Sequence, residues 1–508
     1  CISPCFPPDR ANMRHLLGAA LCALCAAETA AEMTVAVLEH RVRQRPTAVE
    51  MMEANLEVYE QQLQAAAAAG AQLLVTPEDG ITGFRMQREA WWPYAFDLPP
   101  APMDQPPCDA NRGHGASVPW VLQRLSCMAR EHQVALVASL IDLKDCSKQP
   151  DYPGCPVPSR RDGKLLLNTA VVLDRDGCFL QKYHKANLWY EAALDASKEC
   201  SPKTFRIKGF ESVPFGLFIC ADLIHAWPSL ELVTQGIRHF VMPLSWSNEM
   251  AQMQPMGWQQ AWSSLSQSVL LAANTRADDT SGSGIYVAGE PKSTAYALNG
   301  TEGQLLLAQV PLQLPGHPAG CPAKAAEAVQ EVGKWEVAQL DMTPGDHSRL
   351  LCSAGLATCC RLRYRSLRAG AGYAVALLNG LDVSPQVAPW AAEACSILPC
   401  EGGGLSCLTY PAEALRSRGA QWFGEFDFVE MEVNFSAPQQ VFPQVLTEKA
   451  RLVSPSEWHL ESPQPWSRRI FVEHQELISL QLYGRPYWKD SDAQEHCPCR
   501  ADLPSFQI

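Results

Sequence analysis

The feature that most constrains this chain is an alternation between residues 33 and about 310. Short apolar runs rich in β-branched residues trade places with longer stretches of helix formers. Thr34-Val35-Ala36-Val37-Leu38 reads as a strand. Val49 to Ala69, rich in Ala, Glu, Gln and Met, reads as a helix stopped by Gly70. The runs Gln72 to Val75, Val134 to Leu140, Thr169 to Leu173, Phe215 to Cys220, Phe240 to Leu244 and Val269 to Ala273 continue the series. Helical text falls between several of them, as at Val118 to Glu131 and Ser229 to Gln235. A strand with one wet face alternates apolar and polar residues, so strands apolar along their whole length need cover on both faces. Strands separated by helices in this way predict the α/β class, a sheet covered by helices.

The alternation stops well before the end of the 508 residues, a length with room for two or three domains. Pro, Gly, Ala and Cys dominate 311–345, which reads as a linker. Residues 346–490 carry shorter, alternating strands, such as Glu425 to Val433 and Leu477 to Tyr483, and read as a smaller β-rich domain. Residues 491–508 read as a tail. Its Cys497-Pro498-Cys499, with His496, supplies too few ligands for a closed zinc site, so no metal is expected.

Near the start, Met13-Arg14-His15 precedes an apolar run from Leu16 to Ala27 that ends on small residues. Segment 13–31 reads as a secretory signal peptide, and 1–12 as an upstream artefact ahead of it. The run is too short to span a bilayer. Of twenty cysteines, Cys108, Cys146, Cys155, Cys321, Cys400 and Cys407 sit in loop-like surroundings beside Pro, Asp or Gly. A secreted protein pairs such cysteines, although the pairing is not deducible from sequence. Asn299-Gly300-Thr301 and Asn434-Phe435-Ser436 are glycosylation sequons. No transmembrane stretch follows the signal, and the polar end 501–508 lacks the apolar tail of a lipid anchor. A net charge of -13 without a basic run excludes nucleic acid as a partner. The expected location is extracellular.

Three segments carry the chemistry. Val75-Thr76-Pro77-Glu78-Asp79-Gly80 and Phe215-Gly216-Leu217-Phe218-Ile219-Cys220-Ala221-Asp222 each end a predicted strand, and Lys182-Tyr183-His184-Lys185-Ala186-Asn187-Leu188 is the third. Ligands gather outside the carboxyl ends of strands in open α/β sheets, so the fold can bring Glu78 and Cys220 together. A thiol attacks a carbonyl as thiolate, and little thiolate exists at neutral pH. A carboxylate such as Glu78 can take that proton. An ammonium such as Lys185, with the N–H after Cys220, can stabilise the negative oxygen of a tetrahedral intermediate. Taken singly, each has a plainer reading: Cys220 a small buried hydrophobe, Glu78 a turn residue before Asp-Gly, Lys185 a solvated surface lysine. His184 and His225 read as structural histidines rather than bases. Ser281-Gly282-Ser283-Gly284 lacks the Lys-Ser/Thr of a phosphate loop and reads as a tight turn.

Taken together, Pro-Glu-Asp-Gly at 77–80, Tyr-His-Lys-x-Asn-Leu at 183–188 and Phe-Gly-x-Phe-x-Cys-x-Asp at 215–222 resemble the nitrilase superfamily, in its vanin/biotinidase branch. Arg124-Leu125-Ser126-Cys127, Ser281 to Tyr286, Leu482-Tyr483-Gly484-Arg485 and the vicinal Cys359-Cys360 extend the resemblance from about 33 to 490. It implies a four-layer α–β–β–α hydrolase followed by a β-rich domain. It also implies Glu78 as base, Lys185 as oxyanion partner and Cys220 as nucleophile. Glu191, six residues beyond Lys185, matches the extra glutamate many members place beside the lysine. Tyr183 and Trp246 are candidate accessory or substrate residues. No metal or organic cofactor is implied, and the partner is a small-molecule amide.

The chain departs from the branch near the expected pocket. Ala221 stands where an aromatic usually follows the nucleophile, His225-Ala226-Trp227 stands before Pro228, and Pro243-Leu244-Ser245-Trp246 replaces Pro-Thr-Ala-Trp. Tyr190-Glu191-Ala192-Ala193 resembles biotinidases, whereas His184 before the lysine resembles vanins. The implied activity is hydrolysis of a linear amide of a vitamin conjugate, pantetheine slightly preferred and a biotin amide the alternative. A secreted binding protein on the same fold is the competing class. A papain-like hydrolase is excluded, because no Cys segment near the mature start precedes a His and Asn in the required order.

Overall fold

The computed structural model describes residues 31–112, 118–155, 162–248, 253–296, 303–314, 333–356, 358–367, 372–382, 390–400, 425–447 and 452–490. Residues 1–12, the signal segment apart from Ala31, Asn299 and the tail 491–508 lie outside the described residues.

The helix Ala48–Ala68 starts at Thr47, whose hydroxyl accepts the Glu50 N–H at 3.2 Å while the Glu50 carboxylate accepts the Thr47 N–H at 3.1 Å. These reciprocal bonds satisfy donors that the first helical turn leaves orphaned. Met52, Leu56, Tyr59, Leu63 and Ala66, at helical spacing, form its buried face. That face and Val121, Leu125 and Met128 of the helix Trp120–His132 share a core with one side of a seven-stranded sheet. In the strand Glu32–Glu39, Ala36 and Leu38 join this core. Val35 and Val37 instead join a second core, shared with a six-stranded sheet that contributes Phe215, Leu217, Val241 and Leu271. The period-two split of side chains is why the run is apolar throughout. Trp262, on the helix Pro255–Ser266, packs on Phe218 and Phe240 at centroid distances of 5.2 and 4.9 Å. The result is the expected four-layer α–β–β–α stack.

The neighbours Glu32–Glu39, Leu73–Val75 and Ala135–Asp145 run parallel, as do Phe215–Leu217, His239–Leu244 and Val269–Asn274. Parallel strands bring their carboxyl ends to one edge, where the loops that follow them can meet.

A nine-stranded antiparallel sheet follows, organised around the long strand Ser467–Arg485. The first half of that strand pairs with Glu425–Asn434 and Trp458–Glu461, the second half with Trp390–Pro399 and Gln440–Thr447. The expected linker 311–345 needs correction, because Lys334–Gln339 pairs with Tyr373–Asp382 inside this sheet. Trp335 and Val337 pack against its buried residues, and that burial outweighs the loop-like composition of the text before them. Cys359 and Cys360 bond in different directions, to Cys352 and Cys395. Cys108–Cys127 and Cys146–Cys155 staple the first unit. Among the described residues the free cysteine is Cys220. No helix of the described residues is long and apolar enough to cross a membrane.

Candidate active site

Glu78 follows the strand Leu73–Val75. Thr76 prolongs the pairing, its N–H and hydroxyl both donating to Val137 O, at 3.0 and 2.9 Å. The chain then reverses through Asp79 at φ 56° and Gly80. A Cβ on Gly80 would collide with the Tyr59 hydroxyl, so the turn requires glycine. The turn leaves Glu78 only 2% exposed.

Lys185 leaves the strand Phe179–His184 with its N–H on Asn168 O at 2.8 Å and its carbonyl accepting the Ser197 N–H at 3.1 Å. Its ammonium donates to Glu78 Oε1 at 2.7 Å and to Glu191 Oε2. Asn168 Nδ2 donates to Glu78 Oε1 and to Glu191 Oε1, each at 2.7 Å. The other Glu78 oxygen accepts the Ser245 N–H at 2.8 Å, and Glu191 Oε2 accepts the Trp189 N–H at 3.0 Å.

Cys220 opens a tight turn, Cys220–Ile224, at φ 48°. That left-handed conformation costs a non-glycine residue about 1–2 kcal/mol and persists only where its surroundings impose it. The strand expected to run from Phe215 to Cys220 therefore ends at Leu217. The Asp222 carboxylate reaches back to accept the Ile219 N–H at 3.0 Å. The same carboxylate accepts the Tyr183 hydroxyl at 2.7 Å and the Asn187 N–H and Nδ2 at 3.0 and 2.8 Å. One buried side chain thus ties the turn carrying Cys220 to the segment carrying Lys185.

Burial opposes the Lys185 charge, but the Glu191 and Glu78 carboxylates outweigh it and hold the ammonium well above the ordinary lysine range. Burial pushes the Glu78 carboxyl up, against the pull of Lys185, and Glu191 adds to the rise. Asp79 is pushed well above the usual carboxylate range by burial and then by Glu78 and Glu191. Burial and the Glu78 charge push the Cys220 thiol well up, while Lys185 and the nearby Ser245 N–H oppose them. Two buried carboxylates, Glu78 and Glu191, share one ammonium, so the cluster carries surplus negative charge that favours proton uptake. A buried thiol beside a proton acceptor and a fixed cation is an arrangement competent for nucleophilic attack on a carbonyl.

Of the residues singled out in the sequence, Glu78, Lys185, Glu191 and Cys220 meet here. Tyr183 meets Asp222 instead. Trp246 lies against Trp189 at a centroid distance of 6.4 Å, its indole N–H on Met253 O at 2.9 Å. Asn434 ends its strand exposed to solvent. His184 bridges Asp142 and Glu199 at 2.9 and 3.0 Å, and burial pushes the His225 pKa down to about 3. Sequence reading missed Asn168, although a lone Asn inside the apolar run Leu165 to Leu173 was its signal. Asp79 stood within the Pro-Glu-Asp-Gly motif, with no role read for it beyond a turn. Among the described residues no group of three His, Cys, Asp or Glu is arranged to hold a metal.

Residues 39–275 match the carbon–nitrogen hydrolase family model, and residues 328–490 match the vanin C-terminal domain. A biotinidase of Takifugu rubripes is 31% identical across 88% of this chain and 91% of its own. A pantetheinase of Canis lupus familiaris is 28% identical across 97% of both. A pantetheinase of Bos taurus is 30% identical across 87% of this chain and 86% of its own. The crystal structure of an amidase from Nesterenkonia sp. aligns at a TM-score of 0.41 with 21% identity, over 55% of this chain and 90% of that one. On the sequence relationship, which runs through both units, this chain belongs to the carbon–nitrogen hydrolase family, in the branch that contains the biotinidases and pantetheinases.

Proposed function

We propose that the protein is a secreted amidohydrolase that cleaves a linear amide of a vitamin conjugate through a Cys220 thioester. Pantetheine, giving pantothenate and cysteamine, is the preferred substrate, and a biotin amide such as biocytin is the alternative. The observation that carries the reading is the buried ring in which Lys185 holds Glu78 and Glu191 beside the free thiol of Cys220.

Cys220 Sγ attacks the amide carbonyl carbon as its proton passes to Glu78. The carbonyl electrons move onto oxygen, where the Lys185 ammonium and the Ala221 N–H stabilise the charge. Each such donor contributes on the order of 3 kcal/mol to the barrier. Collapse breaks the carbon–nitrogen bond, and the amine leaves with the proton from Glu78. Water, deprotonated by Glu78, then attacks the thioester and releases the carboxylic acid and the thiol. One water is consumed, and the chemistry uses no metal or organic cofactor. Secretion is supported by the paired cysteines, which persist in oxidising compartments. Exposure of Asn434 suits its sequon to glycosylation.

The purified chain is incubated with pantetheine and with biocytin, and cysteamine and biotin release are measured against Cys220→Ala. Release of one product that vanishes in the variant supports the reading and names the substrate. Turnover that survives Cys220→Ala removes Cys220 as nucleophile. A folded, reduced protein that releases neither product points to another amide or to a binding relative.

A further inference from the structure

We propose that Arg485, on the last strand of the second unit, is a positioning residue for the turn that carries Cys220. The proposal rests on Cys220 being the nucleophile. Arg485 is completely buried. Its Nε donates to the carbonyl of Ile224 at 2.9 Å, and Ile224 is the last residue of the turn that Cys220 opens. The other nitrogens stay within the second unit. Nη1 donates to Ala391 O and to Asp490 Oδ1 at 3.1 Å, and Nη2 donates to Asp490 Oδ2 at 2.7 Å. The guanidinium also lies over the Tyr487 ring, 4.5 Å from its centroid.

A carbonyl at the end of a short helical turn has no partner within the turn, and leaving it buried and unsatisfied costs about 1–3 kcal/mol. Arg485 supplies that partner from a different sheet, and Asp490 supplies its counter-charge. The left-handed Cys220 needs both ends of its turn held. Asp222 holds the beginning through Ile219, and Arg485 holds the end through Ile224. The second unit also reaches the lysine side of the site. Trp390, next to the Ala391 that Arg485 grips, packs on Trp189 at a centroid distance of 5.1 Å, and the Trp189 N–H holds Glu191. Arg485 touches neither the thiol nor the carboxylates, so its effect passes through the backbone. The hydrolase centre is therefore finished by a residue of the second unit.

The test compares full-length wild type with Arg485→Lys, Arg485→Met and Asp490→Asn, with folding checked by circular dichroism and thermal melting. Two readouts are taken: the pH profile of Cys220 alkylation by iodoacetamide, and kcat and KM on pantetheine or biocytin, whichever the wild type cleaves. Small displacements of a reacting group cost up to about a hundredfold in rate, so folded variants should lose about tenfold or more in kcat with little change in KM. Their alkylation profile should shift along the pH axis, and Arg485→Lys should recover part of what Arg485→Met loses. If the arginine variants fail to fold, Asp490→Asn, which keeps the guanidinium but loosens its fork, carries the same expectation. Folded variants with wild-type kcat and an unshifted profile overturn the proposal. Wild-type turnover that persists in Cys220→Ala overturns the nucleophile reading, and this proposal with it.

Discussion

Glu78 and Glu191 share the same two donors, the Lys185 ammonium and the Asn168 amide. Two buried carboxylates held this way repel one another, and the shared donors offset the repulsion. The proton affinity of Glu78 thus depends on Glu191 and Asn168, which take no part in the attack on the carbonyl, as well as on Lys185.

Asn168→Ala should lower kcat by about 10- to 100-fold, the range for losing a partner that orients a reacting group. Asn168→Asp should be worse, because it adds a carboxylate to a cluster already carrying surplus negative charge. Steady-state rates of both variants, normalised to folded protein, check the order. Asn168→Asp with wild-type activity would show that the ring does not tune Glu78.

Lys185→Met removes the shared cation and leaves buried carboxylates unpaired, a loss of about 3–5 kcal/mol. Burial already raises the Glu78 pKa, and without Lys185 it rises further. The variant should therefore regain stability as pH falls and the carboxyls take up protons. Urea denaturation at pH 5 and pH 7.5 measures this, and equal destabilisation at both values contradicts it.

Burial raises the Asp222 pKa to about 6, against the Ile219 N–H, the Tyr183 hydroxyl and the other donors that favour its charge. For a carboxyl whose folded pKa exceeds its unfolded value, the stability it contributes is full below the unfolded value near 3.8 and is lost as pH rises through about 6. Ionising this buried group costs the fold about 3 kcal/mol at neutral pH. Asp222→Asn should flatten that part of the pH dependence while lowering kcat, because an amide nitrogen cannot accept the donors now facing Asp222. Denaturation midpoints from pH 4 to 7 for both proteins give the comparison. A difference that stays constant with pH is the contrary result.

The Cys360–Cys395 disulfide closes a loop with a sequence separation of 35. Replacing both cysteines by Ala should cost about 3–4 kcal/mol, through the entropy restored to the unfolded chain. Calorimetry checks the size of the loss. Cys220 alkylation in the folded variant should stay at the wild-type rate, because this bond lies within the second sheet.

Much of the fold was legible because strands covered on both faces leave an unmistakable text. Val35 and Val37 face one core and Ala36 and Leu38 another, so the run could only be interior. The trio was legible because each member sits in a distinctive segment just after a strand. The start of the second sheet was not, since Lys334–Gln339 carries a mixed sequence whose apolar residues acquire a meaning only against the strand Tyr373–Asp382. Asp222 was visible as part of a motif, but its four donors come from three residues in two separate stretches of chain.

Local periodicity and the identity of the reactive side chains belong to the sequence by itself: a two-sided sheet, a second β-rich unit, a thiol, a carboxylate and an ammonium. Tertiary structure alone decided how those groups are charged and held. The proton affinity of Glu78 arises from its burial and from Lys185, Glu191 and Asn168, and the left-handed pose of Cys220 is bounded by Asp222 and by Arg485 from the other unit. The physical reason is range. Propensity and hydrophobic pattern act over a few residues along the chain, whereas desolvation, charge coupling and shared hydrogen bonds act through space between segments that only folding brings together.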